Sequence, residues 1–343
     1  MPLNNISTAR FPLPVYEDVS GEGRKAPVVS YVNAVSGTGK TTQILACSLV
    51  MAAVKGRRVL IIDMDTNCGL TKRVALDKLH LYNTTSMYNL YQSGGVILGH
   101  EHKRDDVVFH VNLLEINCQH NYSEDQQRPD VLDDNMNGHK IFVMAGSTDN
   151  IVLNEMLRMC HNPQEGLALN FARTALNKLA RACAADVVMV DLGIECSLLN
   201  TAFLQASTNF VLTANMVSGY HYRKSLDGMI KVINSMLTVK ISKGSGSSSN
   251  TKAPAFIGWV LIRQEADGLS DEAITDFYES VVRKIPRRFI KGSDEKLKTP
   301  VGVLVESKVF SFNVGGNPLC YPEFLCNPPL GKADRINEVV LSN

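Results

Sequence analysis

The chain has 343 residues, 45% of them hydrophobic and 20% charged, which is enough apolar material for a large buried core and excludes a disordered, charge-dominated chain. Its 35 Lys and Arg against 34 Asp and Glu leave a formal net charge of +1, so global electrostatics neither demand nor exclude an anionic partner. The eight cysteines form no C-x-x-C pair, no apolar run reaches the roughly 20 residues that span a bilayer, and the polar N-terminus lacks a signal-peptide core, so the expectation is a reduced, cytoplasmic protein with no membrane association.

Residues 1–27 hold four prolines and no helical period, and they read as an extended N-terminal arm. From Val28 an apolar, β-branched run breaks into a small-residue loop, NAVSGTGKTT, ending in Gly39, Lys40, Thr41 and Thr42. A loop of this kind between a strand and a helix turns its backbone N–H groups onto a polyphosphate, with the lysine on the β/γ oxygens and the first hydroxyl on Mg²⁺. Ser36, Gly37, Thr38, Gly39, Lys40, Thr41 and Thr42 are therefore the expected nucleotide cradle, although Ala34 stands where the generic G-x-x-x-x-G-K-[ST] pattern has glycine. The stretch from Thr41 to Val54 is helix-compatible, Gly56 suits a C-cap, and Val59 to Ile62 reads as a buried strand.

That strand runs into Asp63 and Asp65, two carboxylates at i, i+2 at the sheet edge where ligands bind in parallel α/β sheets. Asp65 is the expected orienter of a water toward the γ-phosphate, and Asp63 a supporter of the metal shell. Residues 99–137 read as a charged, solvated insertion, with nine Asp or Glu against three Lys or Arg. It carries His100, His102, His110, Cys118 and His120 in no standard zinc spacing. A second buried run, DVVMVD, ends in Asp191, the expected Mg²⁺ holder. Residues 243–251, KGSGSSSNT, read as a flexible loop before a strand from Ala255 to Ile262. Arg283, Lys284, Arg287, Arg288 and Lys291 open a basic run that is suited to nonspecific DNA or to plain solvation. Residues 309–327 read as an irregular tail. Alternating strand and helix patterns predict an α/β fold: a doubly wound, mostly parallel sheet flanked by helices, in one domain over residues 28–343 with insertions.

These motifs resemble the ParA/MinD family of deviant Walker P-loop ATPases. The resemblance rests on VSGTGKTT from Val35, DMDTNCGLT from Asp63, KIFVMAGSTDNIVLNEML from Lys140, DLGIECSLLNTAFL from Asp191 and the strand and helix from Ala206, collinear to about Val260. It implies ATP and Mg²⁺ as cofactors, a homodimer formed on ATP binding, slow hydrolysis stimulated by a ParB-like or cargo adaptor protein, and segregation or positioning of DNA or other large cargo. It also places Gly193 beside the γ-phosphate, where the backbone can approach closely. The chain departs from the family twice: the signature lysine that reaches across the dimer falls at Val35, and the paired prolines after the second aspartate are Gly193 and Ile194. Arg158 and Arg173 are the candidates for a replacement charge. Two alternatives stay open, a nucleotide-gated scaffold with little or no hydrolysis and an ATP-using metabolic enzyme on the same fold.

Overall fold

The computed structural model describes residues 6–13, 26–53, 56–75, 83–93, 109–117, 140–159, 165–238, 253–263, 271–291, 302–314 and 317–324. Ten strands form one sheet: β1 (Ile6–Pro12), β2 (Val28–Val32), β3 (Val59–Asp63), β4 (His110–Asn117), β5 (Lys140–Met144), β6 (Val187–Asp191), β7 (Asn209–Asn215), β8 (Ala255–Arg263), β9 (Gly302–Val314) and β10 (Asn317–Phe324). Their spatial order is β1-β4-β5-β3-β6-β2-β7-β8-β9-β10. The run from β5 to β9 is parallel, while β1 on β4, β4 on β5 and β10 on β9 are antiparallel.

The central strands β2, β3, β6 and β7 are buried along their whole length and mostly apolar, because both faces are covered. Side chains alternate between the faces: Val29, Tyr31, Val59 and Ile61 join one core cluster, while Val28, Val32, Leu60 and Ile62 join the other. The first cluster is closed by α1 (Lys40–Ala53) and α2 (Gly69–Ala75), through Ile44, Leu45, Leu49, Leu70 and Val74. The second is closed by α3 (Met87–Gln92), α4 (Asn150–Met159), α5 (Glu165–Ala182), α6 (Leu198–Ala206), α7 (Gly219–Val232) and α8 (Asp271–Ser280). In it Trp259 stacks on Phe277 with ring centroids 4.2 Å apart. The adjacent strands β2 and β6 send the chain in opposite directions, β2 to β3 on one side and β6 to β7 on the other. The loop after β2 thus opens at the switch point of the sheet, where ligands bind in folds of this kind.

Three segments differ from expectation. Within the N-terminal arm, residues 6–12 belong to the sheet: β1 pairs with β4, Leu13 is buried, and Phe11 meets Phe142 edge-on with centroids 5.1 Å apart. The segment 99–137 is not solvated throughout, because β4 within it buries Val111, Leu113, Leu114 and Ile116, and Glu115 pairs with Lys140 of β5 at 2.6 Å. The irregular tail contains the β9–β10 hairpin, which supplies the paired backbone hydrogen bonds that an irregular chain would lack. The expected loop at 243–251 lies outside the described residues. So do His100, His102, Cys118 and His120, and among the described residues no cluster of three or more His, Cys, Asp or Glu side chains is placed to hold a metal ion. No described helix is long and apolar enough to cross a membrane.

Candidate functional site

The loop from Asn33 to Gly39 is tied to the next strand over. Asn33 Nδ2 donates to the Thr213 carbonyl at 2.7 Å, Asn215 Nδ2 donates to the Gly37 carbonyl at 2.7 Å, and the Thr213 and Thr38 hydroxyls are 3.0 Å apart. Gly39 sits at φ +81°, a left-handed conformation, and a Cβ there would lie 1.9 Å from Ile262 Cδ1, so only glycine fits. The bend lets Lys40 curl back under the loop, where its Nζ donates to the carbonyls of Asn33 at 3.1 Å and Val35 at 3.2 Å. Burial pushes the Lys40 ammonium pKa down, and the carboxylates of Asp191 and Asp65 work against that. Ser36 is exposed at the crest of the loop. The Thr38 side chain is buried, and its hydroxyl faces Thr213, which leaves its backbone to line the cradle.

The two carboxylates that end β3 and β6 are direct neighbours in the ladder, Asp63 opposite Asp191. Asp191 Oδ2 accepts from the Thr41 hydroxyl at 2.7 Å, while its Oδ1 is buried without a partner. Burial raises the Asp191 carboxyl to about 6, with the Lys40 charge and the Thr41 hydroxyl opposing the shift. Asp63, the expected supporter of the metal shell, is bonded to its own loop. Its Oδ2 accepts from the Thr71 amide at 2.9 Å and the Thr71 hydroxyl at 2.6 Å, and its Oδ1 accepts from the Asp65 amide at 3.1 Å. With both oxygens so engaged, Asp63 braces the 64–71 loop. Burial first, and the Asp191 charge second, push its carboxyl up to about 7.

Asp65 Oδ1 accepts from the Asn67 amide at 3.1 Å. Gly193 lies against it: a Cβ on Gly193 would sit 3.3 Å from Asp65 Cα and 3.5 Å from Asp65 Oδ1. The loops after β3 and β6 are also latched by the Thr66 hydroxyl, which donates to Glu195 Oε1 at 2.7 Å. Val35 packs instead against α7, where a Cβ on Gly228 would fall 2.9 Å from its Cγ2. Arg158 pairs with Glu155 at 3.0 Å on the exposed side of α4, and Arg173 is half-buried in α5.

Four contributors to the site were not anticipated. Asn33 and Thr71 hold the two loops, Glu195 latches them together, and Arg73 of α2 donates from Nη1 to the Thr42 hydroxyl at 2.8 Å. Arg73 lies two positions beyond Thr71, where the quoted run from Asp63 ends, so proximity in sequence was the available signal. In the basic run, two 3₁₀ turns (Val282–Lys284 and Arg287–Phe289) leave Lys284, Arg287 and Lys291 exposed. Arg283 pairs with Glu279 at 2.6 Å. Arg288 donates to the Leu237 carbonyl, at the end of the π-helical turn (Ile233–Leu237) that follows α7, and lies over the Phe289 ring.

A strand-end loop with a buried lysine, beside a threonine and a buried aspartate with one unpartnered oxygen, fits a metal-bound polyphosphate. Three solved structures with a similar course illustrate the fold. One is pNOB8 ParA bound to nonspecific DNA, with 16% identity, 78% of each chain covered and a TM-score of 0.49. The second is Cyanothece McdA, with 14% identity, 82% of this chain and 86% of that one covered and a TM-score of 0.48. The third is cobyrinic acid a,c-diamide synthase from Mycobacterium smegmatis with an ATP analog and magnesium, with 16% identity, 75% and 80% covered and a TM-score of 0.44. No curated protein matches the chain significantly. Residues 29–291, which hold both loops and every strand from β2 to β8, match the CobQ/CobB/MinD/ParA nucleotide binding domain, and the chain belongs to that family.

Proposed function

We infer that this protein is a ParA-like ATPase, an ATP-dependent dimerising switch that segregates or positions DNA or another large cargo. The observation that carries this reading is the Thr41 to Asp191 hydrogen bond beside the unpartnered Asp191 Oδ1, which is an oxygen set suited to Mg²⁺ and its waters. Mg²⁺, when bound, neutralises charge on the β and γ oxygens. Lys40 lies against the same charge from within the loop, Thr41 and Asp191 hold the metal and its water shell, and Asp65 orients the attacking water. Gly193 admits the backbone to the Asp65 loop, so occupancy at the γ-position is felt by both loops. An adaptor protein stimulates hydrolysis, and the exposed Lys284, Arg287 and Lys291 meet DNA phosphates.

The test is solution mass by light scattering in Mg²⁺ with ADP, with ATP, and with ATP for the Asp65→Ala variant. An ATP-specific dimer that persists in the variant is expected. A mass that ignores the nucleotide would reject the switch. Val35, packed on α7 where the family has its dimer-spanning lysine, favours a second reading, a nucleotide-gated scaffold without turnover. Nucleotide binding with no detectable phosphate release, in the presence of DNA, would select it.

A further inference from the structure

The phosphate site is crowded with carboxyl groups. Asp63 and Asp191 end the two central strands, Asp65 follows, and a magnesium-bound polyphosphate adds further negative charge. Val35 carries no charge to oppose it, and Lys40 is turned back onto the carbonyls of Asn33 and Val35. Burial raises the Asp191 carboxyl, and two cations pull it back down, Lys40 and then Arg73. The Arg73 charge is thus within electrostatic reach of the aspartate placed to hold the metal.

Arg73 extends from a helix that is fixed in place. Leu70 and Val74 of α2 are buried, and the Thr71 amide and hydroxyl both donate to Asp63 Oδ2. From there Arg73 reaches α1, where its Nη1 donates to the Thr42 hydroxyl at 2.8 Å. Thr42 stands in the first turn of α1 beside Thr41, whose hydroxyl bonds Asp191. The Gln43 amide closes on the Gly39 carbonyl at 2.9 Å, and the amides before it in the helix are open to an anion. Arg73 is exposed, its Nη1 is committed to a neutral hydroxyl, and among the described residues no carboxylate pairs with it. A cation at the positive end of a helix is unfavourable by itself and becomes favourable when an anion occupies the same turn. A plain tie between α1 and α2 would be better made by a neutral side chain.

We propose that Arg73 binds the phosphate chain of the nucleotide: with Mg²⁺-nucleotide in the cradle, its guanidinium pairs with non-bridging phosphate oxygens beside Thr42, in the same subunit as Lys40. The planar fork of an arginine matches a phosphate edge with two parallel hydrogen bonds, which a lysine does not offer. Arg73 has this role only if the site binds nucleotide, as inferred above, and it fills it without a partner subunit. Since α2 follows the Asp65 loop and is bonded to Asp63 through Thr71, the same contact ties that loop to an occupied cradle.

The test reads binding, with neither dimerisation nor turnover, so its failure is separate from failure of the switch. Mg²⁺-ADP is titrated by calorimetry into the wild type and Arg73→Gln over a salt series. Arg73→Gln should weaken binding about tenfold, the lower end for a charge-assisted hydrogen bond because the side chain is exposed, and its affinity should fall less steeply with salt. The ligand-free Tm should hold, since no favourable charge pair is lost. In the wild type, phenylglyoxal, an arginine reagent, should label Arg73 in the ligand-free protein and be blocked there by Mg²⁺-ADP, while the exposed Arg158 is labelled in both states. Wild-type affinity in Arg73→Gln, parallel salt dependences that mark a structural tie, or labelling of Arg73 that ignores Mg²⁺-ADP overturns the proposal. So does a wild type that binds no nucleotide, whereas nucleotide binding without an ATP-specific dimer rejects only the switch.

Discussion

At the scale of single residues, the site stores unfavourable charge in the absence of a ligand. Asp63 and Asp191 are both buried and face one another across a ladder pair, and their carboxyls are pushed up to about 7 and about 6. A carboxyl whose folded pKa lies above its unfolded value of about 4 favours the protonated form in the native state, so its contribution is full below pH ~4 and lost as pH rises through the folded value. The ligand-free protein should therefore lose thermal stability between about pH 4 and pH 7, and Asp191→Asn should flatten that slope. A Tm-against-pH series on both proteins decides it, and parallel curves would remove the charge argument. The two loop glycines give a second contrast. Gly37 and Gly39 both have positive φ, but a Cβ on Gly37 meets open space while one on Gly39 runs into Ile262. Gly37→Ala should cost about 1–2 kcal/mol, the strain of the left-handed conformation alone. Gly39→Ala should add about 1–3 kcal/mol of overpacking and lose nucleotide binding. Chemical denaturation of the pair measures the difference, and equal losses would mean that Ile262 simply moves aside.

At the scale of elements, the sequence made the middle of the sheet legible because burial there leaves a local trace. β2, β3, β6 and β8 are mostly apolar runs next to loops with distinctive chemistry, and the observed bounds of β3, β6 and β8 fall within a residue or so of the expected ones. The edges were not legible. The strand β4 was hidden because the acidic residues of 99–137 crowd its flanks, and an average over the segment conceals the short apolar run HVNLLEIN. The strand β1 owes its structure to a partner about a hundred positions away, which no local pattern reports. The bonds of Asp63 were hidden for a related reason: a carboxylate at a strand end looks the same in sequence whether or not its own loop engages it, and here Thr71 does so. Arg288 is the same problem in a basic run. It reads as a surface charge, but it holds the Leu237 carbonyl at the end of the helix after β7. Arg288→Glu should therefore destabilise the fold by about 1.5–3 kcal/mol, as expected for a lost hydrogen bond from a charged donor, whereas Lys284→Glu should be nearly neutral. Urea melts of the two variants distinguish them, and a neutral Arg288→Glu would return that side chain to the surface patch.

At the scale of the whole molecule, a net charge of +1 gives no general attraction to DNA, so any retention must come from local placement. Arg288 donates to the Leu237 carbonyl and Arg283 pairs with Glu279, and on the proposed reading the exposed Lys284, Arg287 and Lys291 form the patch. Three phosphate contacts release few counterions, so a monomer would bind weakly, with a salt slope of about −2.7. Two copies on one face carry about six contacts and a slope near about −5. On the proposed reading, dimerisation is thus what makes DNA binding detectable, and the nucleotide controls DNA through stoichiometry without altering the patch. The expected result is retention of nonspecific duplex with Mg²⁺ and ATP, loss with ADP, and loss with ATP in the Lys284→Glu, Arg287→Glu, Lys291→Glu variant even though that variant still dimerises. Fluorescence anisotropy across a salt series reads all three. Equal retention with ADP would uncouple DNA from the dimer, and an unchanged slope in the triple variant would show that the contact surface lies elsewhere on the molecule.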